Sequence, residues 1–138
     1  MVDISYNEFV EMISALEQQI EDYILENNID RKKVCLVPVP RGGYVATIYL
    51  SHKMNVKMIS SLFSFIPGED YSHIIIVEDC VDTGKTMRYP HYIRGRKYGA
   101  KVAALVAKTW TPEDCMPEFY AMTTDQWVVF PWETKESE

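Results

Sequence analysis

The chain has few cysteines, no excess of positive charge and no long apolar run, and each shortage removes a class of protein. Cys35, Cys80 and Cys115 are widely spaced, odd in number and without a C-x-x-C pair, so neither a disulfide framework nor a zinc site is expected. Fourteen Lys and Arg against twenty Asp and Glu give a net charge of −6, which argues against nucleic acid or an anionic membrane as the main partner. No apolar run is long enough to cross a bilayer, and the N-terminus has no basic region leading into an apolar one. A reducing cytoplasm is the expected setting. The 138 residues, 1–138, amount to one domain with room for a single core.

What is present centres on Ile74 to Met87, which reads IIIVEDCVDTGKTM. Ile74, Ile75, Ile76 and Val77 form an apolar run without alternation, the pattern of a strand buried on both faces of a parallel sheet. Glu78 and Asp79 then place two adjacent carboxylates at the expected C-terminal tip of that strand. Asp82, Thr83, Gly84, Lys85 and Thr86 supply a polar turn feeding a helix. Ligands of open α/β sheets bind outside the carboxyl ends of the strands, and a Gly-containing turn at a helix N-terminus favours a phosphate. Gly84-Lys85-Thr86 looks like the end of a P-loop, but the motif needs Gly where Asp79 stands. A nucleoside triphosphatase is thereby set aside. The plainer alternative is a buried strand, an acidic turn and a helix capped by Asp82 or Thr83.

Around this stretch the chain reads as an α/β protein. Ser5 to Glu8, S-Y-N-E, is a capping box for a helix whose stripe runs through Phe9, Met12, Ile13, Leu16, Ile20, Tyr23 and Ile24, with Asn27-Asn28 ending it. A strand is expected over Val34 to Val39, then Pro40-Arg41-Gly42-Gly43 and a helix from Tyr44 to about Met54. This second strand, Gly turn and helix make another anion-binding tip on the same sheet edge. VKMISSLFSF, from Val56, reads as one strand, and Pro67-Gly68-Glu69-Asp70 as a turn. The serines Ser60, Ser61 and Ser64 are read as alternating strand residues. After the signature, a helix from about Gly84 to Tyr98 should kink or break at Pro90, and Arg88, Arg94, Arg96 and Lys97 are read as a solvated face. Lys101 to Ala107 is a further buried strand ending at Lys108, a residue that commonly snorkels to solvent. Asp125 to Glu133 is a short aromatic strand whose Trp127, Phe130 and Trp132 would help fill the core beside Tyr120. The tail after it, TKESE, is expected to fray.

VEDCVDTGKTM resembles the phosphoribosyl pyrophosphate (PRPP) signature of the type I phosphoribosyltransferases, in particular the hypoxanthine and xanthine-guanine members. The resemblance implies an open, mainly parallel twisted sheet flanked by helices with a small C-terminal hood segment. It implies that Glu78 and Asp79 hold the ribose hydroxyls directly or through Mg²⁺ and its water, that Asp82 faces N7 of the purine, and that Thr83, Gly84, Lys85 and Thr86 wrap the 5′-phosphate. P-R-G-G is similar to the pyrophosphate loop of the xanthine-guanine branch, assigning Arg41, Gly42 and Gly43 to pyrophosphate and a cis peptide to Pro40–Arg41. The same similarity gives Lys108 to the 6-oxygen of the base, Trp127 to stacking, Val128 to backbone bonding with the base edge, and Glu133 to the 2-substituent or the metal shell. Family members carry a longer mobile loop where this chain has the short interval before the signature. The implied activity is Mg²⁺-dependent transfer from PRPP to N9 of a 6-oxopurine in purine salvage, by a homodimer. Two alternatives stay open: a PRPP- or nucleotide-binding regulatory protein of the same fold, and a transferase acting on a pyrimidine.

Overall fold

The computed structural model describes residues 1–59 and 72–134, apart from the side chain of His91. The expected turn at Pro67 to Asp70, Ser60, Ser61 and Ser64, and the tail beyond Thr134 lie outside the described residues. Helix α1, Tyr6–Glu26, starts at the capping box: Ser5 Oγ accepts from the Glu8 N–H at 3.1 Å, and the Ser5 N–H donates to Glu8 Oε1 at 3.0 Å. Two orphan donors of the first turn are thus satisfied reciprocally. The helix buries Phe9, Met12, Ile13, Leu16, Ile20 and Ile24 and ends at Asn27, followed by Asn28 at φ 51°.

Five strands form one parallel sheet. In chain order they are β2, Val34–Pro38; β3, Lys57–Met58; β4, His73–Val81; β5, Lys101–Lys108; and β6, Phe119–Thr124. Their order across the sheet is β3-β2-β4-β5-β6, and every neighbouring pair is parallel. Helix α2, Gly42–Met54, links β2 to β3 and lies with α1 on one face, whereas α3, Pro90–Lys97, links β4 to β5. The two faces sort alternate residues. Leu36, Ile75, Val77 and Leu105 join the core under α1 and α2, while Cys35, Val37, Ile74, Ile76 and Val102 pack with Met87 and Tyr92 on the other face. Burial on both faces is why the central strands read as unbroken apolar runs.

Three sequence expectations need correction. The signature strand does not end before the acids but continues to Val81, because β5 offers partners that far: Glu78 pairs with Ala104, Cys80 with Val106 and Val81 with Ala107. The break expected at Pro90 is present, but the stretch before it is only a short 3₁₀ turn, Thr86–Arg88, and α3 starts with Pro90 in its first turn. Proline lacks the N–H that an interior helical position needs and suits a first turn, so neither Asp82 nor Thr83 caps a helix. The aromatic C-terminal segment contributes only β7, Val128–Val129, which pairs in parallel with β1, Val2–Asp3, in a separate two-stranded sheet. Here Phe130 is buried and Trp132 stacks on it at 4.8 Å, whereas Trp127 is half exposed. Among the described residues no helix is long and apolar enough to cross a membrane.

Candidate active site

Strand order reverses between β2 and β4: the chain builds outward from β2 to β3 and, in the other direction, from β4 through β5 to β6. Such a switch point opens a crevice outside the carboxyl ends of the two strands. Both motifs singled out in the sequence meet there. After β2 come Pro40 and Arg41, joined by a cis peptide bond, and then α2 begins at Gly42. Arg41 is exposed. A Cβ on Gly43 would stand 2.5 Å from the carbonyl oxygen of Val77, so only glycine lets this turn lie against β4.

Glu78 and Asp79 follow the alternation of β4 and address different surroundings. Asp79 sits beside Gly42 and within electrostatic reach of Glu133, and its Oδ1 accepts from the Cys80 N–H at 2.7 Å. Glu78 takes a hydrogen bond from Thr86. Burial pushes the Glu78 carboxyl up to about 8, and the charge of Asp79 adds to the effect while the Thr86 bond opposes it. Asp79 is likewise raised, first by burial, with Glu133 adding and the Cys80 N–H opposing. Among the described residues no Lys or Arg forms an ion pair with these three carboxylates. Nor do these residues include a cluster of three or more His, Cys, Asp or Glu arranged to hold a metal directly. The Cys80 thiol is pushed up to about 12, chiefly by burial, which leaves it a poor nucleophile.

The turn from Asp82 to Thr86 lines a pocket of about 70 Å³ together with Glu78, Cys80, Val81 and Met87. It is braced from behind. Gly84, at φ 85°, lies so close to Cys115 that a Cβ would stand 2.4 Å from its sulfur, and Arg88 donates to the Thr83 carbonyl at 3.0 Å. Thr111 adds a bond from its hydroxyl to the Val81 carbonyl at 3.2 Å.

On the far side of this turn, Lys108 ends β5. It is only 5% exposed and does not snorkel: its Nζ donates to the Gln126 carbonyl and lies 5.4 Å from the centroid of the Trp110 ring. Trp110 in turn donates its indole N–H to Asp82 Oδ1. Lys108 thereby joins Asp82 to the segment carrying Trp127 and Val128. That segment is tied to the N-terminus by the Val2 N–H, which donates to the Trp127 carbonyl at 2.7 Å, and the Ile4 N–H, which donates to the Val129 carbonyl at 2.9 Å. Glu133 Oε1 accepts from the Phe130 N–H at 3.0 Å. Trp110, Thr111, Cys115 and Gln126 carry no site role on sequence alone; their one signal is an aromatic residue between two threonines directly after Lys108.

No family model matches the chain. A curated xanthine-guanine phosphoribosyltransferase from Idiomarina loihiensis is 26% identical to it over 116 residues, which cover 71% of this chain and 70% of that relative. The crystal structure of a purine phosphoribosyltransferase from Pyrococcus horikoshii superposes with a TM-score of 0.72 at 26% identity, covering 96% of this chain and 94% of that one. A xanthine-guanine-hypoxanthine phosphoribosyltransferase from Helicobacter pylori, 19% identical, shares the fold with a TM-score of 0.75 over 99% of this chain and 95% of its own. The parallel five-stranded sheet flanked by helices is shared with these proteins, and it is the fold of the phosphoribosyltransferase class. The chain has the type I phosphoribosyltransferase fold and is similar to purine members of that family.

Proposed function

We propose that the protein transfers the 5-phosphoribosyl group of PRPP to N9 of a 6-oxopurine and releases pyrophosphate, as a step of purine salvage. The observation that carries this reading is the pairing of a buried cation, Lys108, with the Asp82 carboxylate through Trp110 at the ends of adjacent strands. A purine with a 6-oxo group presents an acceptor at O6 and, when N7 carries the proton, a donor beside it. Lys108 can donate but not accept, so it suits O6 and leaves the 6-amino group of adenine without a partner.

Each remaining residue has a task that its position supports. Thr83 to Thr86 hold the 5′-phosphate in their turn, and Arg41, Gly42 and Gly43 meet the pyrophosphate. Glu78 and Asp79 hold the ribose hydroxyls, Trp127 stacks on the base, Val128 bonds its edge through the backbone, and Glu133 serves the 2-substituent. Glu78, Asp79 and Glu133 are oxygen donors without an ion-paired cation among the described residues, a donor set that fits a hydrated Mg²⁺ held mostly through water. When bound, Mg²⁺ neutralises the departing pyrophosphate. Fixing ribose and base in line contributes about 7–11 kcal/mol to lowering the barrier. Asp82, by holding or accepting the proton at N7, adds about a hundredfold.

The test is nucleotide formation from PRPP, Mg²⁺ and hypoxanthine or guanine, with pyrophosphate release measured in parallel. Stoichiometric nucleotide and pyrophosphate are expected. Binding of PRPP without product would turn the reading to a regulatory protein of the same fold.

A further inference from the structure

Trp110 contacts both Asp82 and Lys108, and no role has yet been given to it. Its indole N–H donates to Oδ1 of Asp82, and the Lys108 ammonium lies 5.4 Å from its ring centroid. The residue is 52% exposed, so it does little for the core. Its backbone is nonetheless fixed. Thr111 N–H donates to the Lys108 carbonyl at 3.0 Å, and the Thr111 hydroxyl ties the same turn to the end of β4 through Val81.

We infer that Trp110 is a positioning residue of the transfer, setting the Asp82 carboxylate and the Lys108 ammonium at the spacing of N7 and O6 of a 6-oxopurine. The inference rests on the function proposed above. An indole N–H only donates, so its bond to Asp82 requires an accepting oxygen and is charge-assisted when the carboxylate is ionised. It occupies Oδ1 and leaves Oδ2 for the proton at N7. Without that bond an exposed Asp on a turn samples several rotamers, and turnover falls with the share of time it spends aligned. On the other side, the aromatic face attracts the cation. Of the three donors of the ammonium, one goes to Gln126, and the ring restricts where the others aim.

Trp110→Phe keeps a ring over Lys108 and removes the N–H. It should lower kcat with hypoxanthine about tenfold, the worth of one charge-assisted bond, while KM for PRPP stays within about twofold. In an Asp82→Ala background the same substitution should have no further effect on kcat, because its partner is already gone. Trp110→Leu, which also removes the aromatic face, should additionally raise KM for the base. A readout independent of turnover is the indole N–H resonance of Trp110 in the ¹H–¹⁵N spectrum, assigned by its loss in Trp110→Phe; it should move in Asp82→Ala. Independent, multiplying effects of the two substitutions, an unchanged kcat in Trp110→Phe, or an unmoved resonance would each overturn the inference while leaving an active transferase. If the unaltered protein forms no nucleotide with any base, the transferase reading fails and the positioning role falls with it.

Discussion

A Cβ placed on Gly42 would stand 1.9 Å from Oδ2 of Asp79 and 2.5 Å from its Cγ. The turn after β2 and the second acid of β4 are therefore interlocked across the switch point, so that the expected pyrophosphate loop and the expected ribose-binding acid share one packing contact. Gly42→Ala has to displace the Asp79 carboxylate, which is short and bonded to the Cys80 N–H. The expected result is a rise of about tenfold or more in KM for PRPP, with a loss of stability of about 1–3 kcal/mol as for other overpacked sites. Steady-state kinetics and thermal melts check both; an unchanged KM would show that Asp79 gives way without consequence.

The raised Glu78 carboxyl makes stability depend on pH in a direction that follows from its cause. Folded, it takes up its proton at about 8; unfolded, it returns to the ordinary value of 4.5. Between those values the folded chain keeps a proton that the unfolded chain releases, so this group's contribution is full below about 4.5, declines as pH rises and is lost as pH passes about 8. In protein freed of divalent cations, Tm should fall from pH 5 to about 8.5 more steeply than in Glu78→Gln, which carries no titrating group. Parallel pH profiles for the two proteins would contradict the assignment.

Asp82 is exposed and outside the packed core, so its replacement should touch chemistry and spare the fold. Asp82→Asn is expected to lower kcat by about a hundredfold and to change PRPP affinity much less. Equal losses in kcat and in PRPP binding, measured by turnover and by titration calorimetry, would reject a role at N7.

The parts of this fold that were legible in the sequence are those in which local chemistry and tertiary packing agree. The capping box at Ser5 and Glu8 and the stripe through Leu16 and Ile20 gave α1 because the buried face coincides with the helical repeat. The run Ile74 to Val77 gave the centre of β4 because both faces are covered. Its end was misplaced because polar Glu78 and Asp79 look like turn residues, whereas β5 continues to supply pairing partners as far as Val81. Strand β6 is not legible in the sequence because it depends on β5 for its pairing and buries only Phe119 at the sheet edge. The same limit applies to the site. Residues within one motif, such as Glu78 to Thr86, could be nominated from their spacing, but the bond between Asp82 and Trp110 spans 28 positions and exists only once β4 and β5 lie side by side. For Lys108 the common expectation of a snorkelling lysine was overridden by a carbonyl and an aromatic face close at hand.

The most direct measurement is kcat/KM with PRPP and Mg²⁺ for hypoxanthine, guanine, xanthine, adenine and uracil, each alone, repeated with Lys108→Met. At least one 6-oxopurine should exceed adenine and uracil by about a thousandfold or more, as for other sites built around a buried donor, and Lys108→Met should collapse that margin. Comparable rates with adenine or uracil, or a margin that survives the loss of Lys108, would contradict the proposed function.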